Sequence, residues 1–152
     1  MAIKVGDKLP DATFMIMTSE GPKPQTTAEV FGGKKVALFA VPGAFTPTCH
    51  KTHMPGFVQR AAELKGKGFQ TVACTSVNDA FVMAEWSKAT GADGKILMLA
   101  DGSADFAKKI GLDFDLTARG LGVRSRRYSM IVDNGVVTSL NIEEQPTVDK
   151  SS

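Results

Sequence analysis

The hydrophobic positions of the chain fall in short runs whose spacing alternates between strand-like and helix-like. Residues 35–41 (KVALFAV) form a continuous β-branched and aromatic run, which is typical of a central strand covered on both faces. Residues 69–75 and 96–100 are predicted as two further strands. Segments with helical spacing separate these runs, so the order strand, helix, strand, helix, strand predicts parallel pairing.

A helix is predicted directly after the first of these strands. Thr46 is a good N-cap residue and Pro47 suits the first helical position, after which apolar residues recur at helical spacing. Pro55 is expected to kink or break this helix because it removes a backbone hydrogen bond. Gly66 and Gly68 are expected to end the helix.

Two more helices are predicted after the second and third strands. Asp79 is the expected N-cap of a helix that runs to residue 89, and residues 103–110 form a short helix. The buried stripe of the helix capped by Asp79 is predicted to comprise Phe81, Val82, Trp86 and Ala89. Trp86 and the methionines are predicted to fill the core.

Antiparallel strands are predicted near both ends of the chain. Residues 13–17 form a short strand or hairpin among turn-forming residues. Residues 128–132 and 136–140 flank Asn134-Gly135, the strongest short hairpin signal, and a loop rich in glycine and arginine precedes them. The pattern as a whole predicts an α/β fold with a central mixed sheet flanked by helices.

Composition places the chain among single globular domains. Its 152 residues are 43% hydrophobic and 22% charged, so one domain over residues 1–152 with a self-sufficient core is expected. The net charge of +2 is too small to steer the protein to nucleic acid or to a membrane surface. Without a signal-peptide pattern or an apolar run of about 18 residues, the expected location is the cytoplasm.

Cys49 is the strongest candidate for chemistry. The chain holds two cysteines, too few for a disulfide scaffold. With Thr46 as N-cap, Cys49 falls at the third helical position, where unpaired backbone N–H groups and the helix dipole favour an anion. The segment directly follows a central strand, so it lies at the carboxyl edge of the sheet, where open α/β folds bind ligands. The alternative is a cysteine that fills space beneath a capped helix.

The segment around Cys49 resembles a known family. Pro42, Thr46 and Cys49 match the P-x-x-x-T-x-x-C signature of the peroxiredoxins. The longer string VPGAFTPTCHKTHMPGF is similar to the type II, peroxiredoxin-5-like group. The similarity continues through ACTSVNDAFVMAEW, LADGS and GLGVRSRRYSM, and it covers essentially the whole chain.

The resemblance implies a thioredoxin-like fold with an N-terminal β-hairpin extension and a thiol peroxidase that reduces hydrogen peroxide and organic hydroperoxides without a cofactor or metal. It implies Cys49 as the peroxidatic cysteine, with Pro42, Thr46 and Arg127 as active-site partners and Arg124 in support. The implied partners are a second copy in a homodimer and an electron donor, either glutaredoxin, glutathione or thioredoxin. Type II chains usually finish with an amphipathic helix, which is expected to be missing because this chain stops where that helix would start.

Ionisation of Cys49 alone cannot make an efficient peroxidase. A cysteine with a pKa of about 8.5 is roughly 3% thiolate at neutral pH, so complete ionisation gains only about 30-fold. The rest of the rate enhancement requires hydrogen-bond donors aimed at both peroxide oxygens. The candidates are the Thr46 hydroxyl and the permanent cation of Arg127, while Pro42 is expected to shield the thiolate. If residues 128–132 run antiparallel to the central strand, Arg127 lies at the same sheet edge.

The step after oxidation depends on Cys74. A sulfenic acid on Cys49 must be captured by a thiol before more peroxide converts it to the irreversible sulfinic form. Cys74 lies near the end of the neighbouring predicted strand, and type II members similar to plant cytosolic forms carry a resolving cysteine in this place. A disulfide needs Cα atoms within about 7 Å, so the first helical turn would have to unwind. Resolution by Cys74 and resolution by glutathione or glutaredoxin are equally weighted alternatives.

Other functions are weighed against the peroxidase. The main alternative is a peroxide-sensing thiol relay that passes its oxidation to a partner protein. His50 and His53 follow Cys49 in the predicted helix. His53 shares the face of Cys49 and suggests a cysteine–histidine hydrolase pair or, with Cys74, part of a zinc site, but neither an acidic orienting residue nor close ligand pairs accompany it. Histidines on the helix surface are therefore favoured, and Arg119 and Arg126 are predicted to be solvated surface residues.

Overall fold

The computed structural model describes residues 2–46 and 54–143. Pro47, Cys49, His50 and His53 lie outside the described residues, as does everything after residue 143. The described elements, in chain order, are β1 (Thr13–Thr18), β2 (Gly21–Thr26), α1 (Thr27–Phe31), β3 (Lys35–Ala40), α2 (Met54–Gly66), β4 (Thr71–Ser76), α3 (Ala80–Thr90), β5 (Leu97–Ala100), α4 (Asp105–Lys109), β6 (Asp113–Leu116), β7 (Gly122–Ser125), β8 (Tyr128–Asp133) and β9 (Val136–Ile142).

A seven-stranded mixed sheet forms the centre of the fold. The strand order is β2-β1-β5-β4-β3-β8-β9, with β3, β4 and β5 parallel and β8 antiparallel to β3. This confirms the predicted parallel centre and the antiparallel final strands. The carboxyl ends of β3, β4 and β5 and the start of β8 therefore meet at one edge.

Both predicted hairpins are present. β1 pairs with β2 in antiparallel register, which places the N-terminal hairpin at one side of the sheet. At the other side β8 pairs with β9 across Asn134 and Gly135, whose φ angles are 49° and 80°. Two successive left-handed residues suit a tight hairpin turn, and asparagine and glycine tolerate that conformation best.

The predicted loop before β8 contains a second small sheet. β6 and β7 pair in antiparallel register, and residues Thr117–Arg119 form a single 3₁₀ turn between them. The prediction of an irregular loop was wrong because Asp113 and Asp115 alternate with Phe114 and Leu116, a period-2 pattern too short to stand out.

Hydrophobic residues pack on both faces of the large sheet. On one face Phe14, Phe31, Leu38, Phe106 and Met130 form a buried cluster. On the other face, a second cluster gathers residues of β3, β4, α2 and α3, and we call this the α2/α3 face. A continuous apolar run was the right signal for β3 because both of its faces are covered.

The buried stripe of α3 differs from its prediction. Asp79 caps the helix as expected, with its side chain accepting a hydrogen bond from the Val82 N–H. The buried positions are Ala80, Met83, Trp86 and Ser87, whereas Phe81 is 64% exposed and Ala89 is exposed. The predicted buried face was wrong by about one residue around the helix axis, because apolar residues lie on more than one face of this helix.

The methionines are not all core residues. Met83 and Met130 are buried as predicted, but Met15 and Met17 on β1 are 37% and 36% exposed. The side chains of β1 alternate, and Phe14 takes the core position, so the neighbouring methionines face away from that cluster. Within residues 2–46 and 54–143, the helices are too short or too polar to cross a membrane.

Candidate active site

The loop that follows β3 forms a tight turn at the carboxyl edge of the sheet. Pro42 is buried, and the Thr46 hydroxyl donates a hydrogen bond of 2.6 Å to the Gly43 carbonyl. The Thr46 N–H donates to the same carbonyl at 3.4 Å. Phe45 has a φ of 64°, a left-handed conformation that is uncommon for a bulky residue and is found at sites that surrounding structure holds in place.

Arg124 on β7 holds this loop against its neighbour. Its Nη1 donates to the Pro42 carbonyl at 3.3 Å and to the Val77 carbonyl at 3.4 Å, while Nε donates to the Leu121 carbonyl at 2.8 Å. Partial burial lowers the pKa of Arg124 from its ordinary value, but a guanidinium stays charged in proteins. The structure therefore places Arg124 as a cation that bridges the loops after β3 and β4.

The contact between Arg124 and the loop requires a glycine. A Cβ atom at Gly43 would lie 2.9 Å from Arg124 Nη1 and 3.0 Å from Thr46 Cγ2. Such contacts are shorter than side chains adopt, so any larger residue at Gly43 would displace Arg124 or Thr46. The sequence reasoning did not single out this glycine.

Asn78 is a second residue that the sequence reasoning missed. Its Oδ1 accepts hydrogen bonds from the Ala44 N–H at 2.9 Å and from the Ser76 hydroxyl at 2.7 Å. Asn78 thereby ties the loop after β4 to the loop after β3. The available signal was its position just past the end of a central strand, next to the N-cap Asp79.

Arg127 lies directly before β8 at the same edge of the sheet. Tyr128 pairs with Ala40, the last residue of β3, so Arg127 is level with the start of the Pro42 loop. The residue is buried, and its Nε lies 3.1 Å from Glu143 Oε2. The sequence-based expectation that Arg127 reaches this edge from a distant part of the chain is confirmed.

The Arg127 side chain belongs to the α2/α3 face. Side chains alternate along β8, so Arg127 and Ser129 lie on the face opposite the cluster that contains Tyr128. A cavity at this end of β8 is lined by Phe39, Ala40, Arg127, Tyr128, Ser129, Asn141 and Glu143. The cavity has a volume of about 300 Å³. Small-molecule sites in proteins start near this size, at about 300 Å³.

Cys74 lies on β4 within the same face. Its register neighbours are Phe39 on β3 and Met98 on β5, and its side chain is fully buried. The prediction that it lies near the end of the strand beside β3 is confirmed. Full burial in a central strand means that another sulfur can reach Cys74 only after the surrounding core opens.

The other two arginines of this region differ from each other. Arg119 is exposed at the end of the 3₁₀ turn, as predicted. Arg126 is half-buried rather than a solvated surface residue, and its Nη2 donates to the Glu143 carbonyl at 3.3 Å. The prediction that Arg126 is a solvated surface residue was wrong because its partner, the Glu143 carbonyl, lies after β9 and is brought close only by the fold.

A buried carboxyl group lies at the end of the neighbouring strand. Asp101 follows β5, and its two oxygens accept hydrogen bonds from the Phe106 and Ala107 N–H groups at 3.0 and 2.9 Å. Burial raises the pKa of Asp101 above its ordinary value of 3.8, although these two hydrogen bonds act in the opposite direction. Asp101 therefore caps α4 at a desolvation cost.

These features define a class of site. The structure has a mixed α/β sheet with a parallel centre, a constrained loop with a hydroxyl at its carboxyl edge, and two arginines, Arg124 and Arg127, at that edge. Such a concentration of positive charge at strand ends suits an anionic group. Cys49, the predicted anion, lies three residues beyond Thr46 and outside the described residues.

Several known proteins are similar to this chain in sequence and in fold. A profile described as Redoxin matches residues 4–152. The chain is 49% identical to Peroxiredoxin-2E, chloroplastic, of Arabidopsis thaliana over 99% of this chain and 66% of that relative. It is 46% identical to Peroxiredoxin-2D of the same organism over 93% of this chain and 88% of the relative.

A solved peroxiredoxin structure is also similar to this chain in fold and sequence. Reduced Prx3 from Vibrio vulnificus, crystallised in complex with H₂O₂, matches with a TM-score of 0.91 and 52% identity. The match covers 98% of this chain and 93% of that one. The chain belongs to the redoxin family and is a thioredoxin-fold peroxiredoxin.

Proposed function

We propose that the protein is a thiol-dependent peroxidase that reduces hydrogen peroxide and organic hydroperoxides through Cys49. The observation that carries the proposal is the convergence of Thr46, Arg124 and Arg127 at the sheet edge from which the segment containing Cys49 continues. The similar proteins support it, since one was crystallised with H₂O₂ and the others are named peroxiredoxins.

The proposed reaction oxidises sulfur by two electrons. The Cys49 thiolate attacks the terminal oxygen of the hydroperoxide, so that an S–O bond forms while the O–O bond breaks. The leaving oxygen departs as hydroxide or alkoxide and takes a proton to become water or an alcohol. Negative charge moves from sulfur to the leaving oxygen, and the buried guanidinium of Arg127 stabilises that charge.

Thr46 has a specific part in this scheme. The sequence predicts a donor here, but the hydroxyl proton is used in the hydrogen bond to the Gly43 carbonyl, so the Thr46 oxygen is left to accept. The oxygen that sulfur attacks carries the hydroperoxide O–H, which can donate to Thr46. We assign to Thr46 the orientation of that oxygen towards Cys49, and to Pro42 the exclusion of water from one side.

The second half of the cycle needs an external thiol. Attack of a thiolate on the Cys49 sulfenic acid forms a disulfide and expels hydroxide, which takes a proton from solvent to become water, and a second thiol then restores Cys49. Because Cys74 is fully buried in β4, we favour glutathione, glutaredoxin or thioredoxin as the immediate partner of folded enzyme. Cys74 can act as the resolving thiol only when the α2/α3 face opens.

Peroxide consumption by three proteins tests this function. With glutathione and glutaredoxin as reductants, Cys49→Ser should lose turnover, whereas Cys74→Ser should stay within about two-fold of wild type. Both substitutions remove one sulfur, so Cys74→Ser is the matched control. Unchanged turnover in Cys49→Ser would overturn the peroxidase. Loss of turnover in Cys74→Ser alone would leave the peroxidase intact and make Cys74 the obligatory resolving thiol.

We also propose a homodimer in which the edge containing the candidate site faces a second copy. Phe45, in the loop after β3, is 48% exposed, and Phe81, on α3, is 64% exposed. Both residues are large, exposed aromatics near the edge of the candidate site, and aromatic residues are enriched at protein–protein interfaces. A reducing compartment such as the cytoplasm suits a cycle that needs thiols, although the first relative is named a chloroplastic protein.

A further inference from the structure

A groove lies on the large sheet at the end opposite the candidate active site. Its volume is about 510 Å³, and it is lined by residues of α2, α3, β1, β4 and β5 and of the segment before β5. The β4 and β5 residues include Thr71 and Leu97, which begin these strands, whereas the candidate site lies beyond their carboxyl ends. Because β4 and β5 are parallel, the two sites are at opposite edges.

The apolar part of the groove is rich in methionine. Met15 and Met17 come from β1, Met83 from α3 and Met98 from β5. Methionine side chains are unbranched and polarisable, so they adapt to flexible apolar ligands. None of the described residues that line the groove is aromatic, so the groove offers no stacking surface for a nucleobase or another planar ring.

The polar part of the groove carries an excess of positive charge. Lys65, Lys88 and Lys95 line it, against the single carboxylate of Asp93. Lys88 Nζ lies 3.3 Å from Glu85 Oε2, so its charge is balanced. Lys65 and Lys95 have no ion-pair partner in the part of the chain that the structure describes. Two cations therefore remain available to an anionic group.

We propose that this groove binds the anion of a long-chain fatty acid. The alkyl chain lies along the methionines, and Lys65 and Lys95 bind the carboxylate. Burial of the alkyl chain stabilises the complex more as the chain lengthens, and the lysines select an acid over a neutral chain of the same length. The volume is within the range of about 300–1,000 Å³ of small-molecule sites. This ligand is independent of the peroxide chemistry.

Calorimetric titration with dodecanoate tests the proposal. Wild-type protein should bind one dodecanoate per chain, and it should bind dodecanol and butyrate at least about ten-fold more weakly because each lacks either the charge or the chain. In Lys65→Glu/Lys95→Glu, the affinity for dodecanoate should fall at least about ten-fold. Met17→Glu should have the same effect, because it places a carboxylate in the apolar part of the groove.

A charge-matched variant distinguishes the loss of lysine contacts in the groove from the effect of a changed net charge. Lys8→Glu/Lys108→Glu changes the same number of lysines at exposed positions outside the groove, and it should bind dodecanoate within about two-fold of wild type. Peroxide consumption should be unchanged in all these variants, so the outcome is independent of the proposed peroxidase. Absence of dodecanoate binding to wild type, equal binding of dodecanol, or equal losses in both lysine variants would overturn the proposal.

Discussion

At the scale of single residues, the candidate site depends on contacts between loops that are distant in sequence. Ala44 and Asn78 are 34 positions apart, yet one hydrogen bond joins them. The sequence motif predicted Pro42, Thr46 and Arg127, because each belongs to a recognisable pattern. It could not predict Asn78 or Gly43, because their roles arise only when the loops after β3 and β4 meet beneath Arg124.

Substitution of Thr46 tests its proposed role as an acceptor. Thr46→Ser keeps an oxygen that can bond both Gly43 and the peroxide, so kcat/KM for hydrogen peroxide should stay within about five-fold of wild type. Thr46→Val keeps the shape but loses the oxygen, and kcat/KM should fall about 100-fold, the usual loss when one polar contact to a reacting oxygen is removed. Steady-state assays measure both values. Similar losses in serine and valine variants would contradict the role.

At the scale of elements, the strength of the hydrophobic pattern decided what could be predicted. β3 and β5 were predictable because a continuous apolar run dominates each of them, and β4 because threonines, which favour strands, flank its apolar centre. β6 and β7 were not, because four-residue strands carry too few positions to show a period. The buried stripe of α3 was misplaced because Phe81, a residue type that usually lies in the core, is exposed in this fold. Which helix residues are buried depends on the packing of the whole face.

The cap of α4 gives a prediction about pH. The pKa of Asp101 is raised in the folded protein, so the folded state binds its proton more tightly than the unfolded state. The contribution of Asp101 to stability is therefore greatest below its unfolded pKa of 3.8 and falls as pH rises through the raised folded value.

Denaturant unfolding across this acid range measures the effect of Asp101. Asp101→Asn cannot titrate, so the free energy of unfolding of wild type minus that of the variant should decrease as pH rises from 3.8 towards neutrality. Asp93→Asn, at an exposed position, serves as the control for the removal of a carboxylate. A difference that grows with pH would show that the hydrogen bonds from α4 outweigh burial.

At the scale of the whole molecule, the fold separates two kinds of surface. The carboxyl edge of the sheet has the arginines, the strained Phe45 and the cavity beside Arg127, whereas the opposite edge has the methionine and lysine groove. The sequence predicted the first surface through its motif. The second surface has no motif, because the groove combines residues of α2, α3, β1, β4 and β5 that only the folded sheet brings together.

The proposed homodimer gives a prediction at this scale. Phe81→Glu places a charge on the exposed aromatic position of α3, so the variant should elute as a monomer at concentrations where wild type is a dimer. Light scattering after size-exclusion chromatography measures the mass. Val5→Glu changes another exposed apolar residue, 57% exposed, and should remain dimeric. A Phe81→Glu dimer as stable as wild type would exclude this surface from the interface.

The central claim is that Arg127 stabilises charge as the Cys49 sulfur breaks the peroxide bond. The most direct measurement is the second-order rate constant for oxidation of Cys49 by hydrogen peroxide, followed by stopped flow in wild type, Arg127→Lys and the exposed control Arg119→Lys. The rate constant should fall about 100-fold or more in Arg127→Lys and hardly at all in Arg119→Lys, because of these two residues only Arg127 lies at the edge of the candidate site. Equal rate constants in all three proteins would contradict the claim.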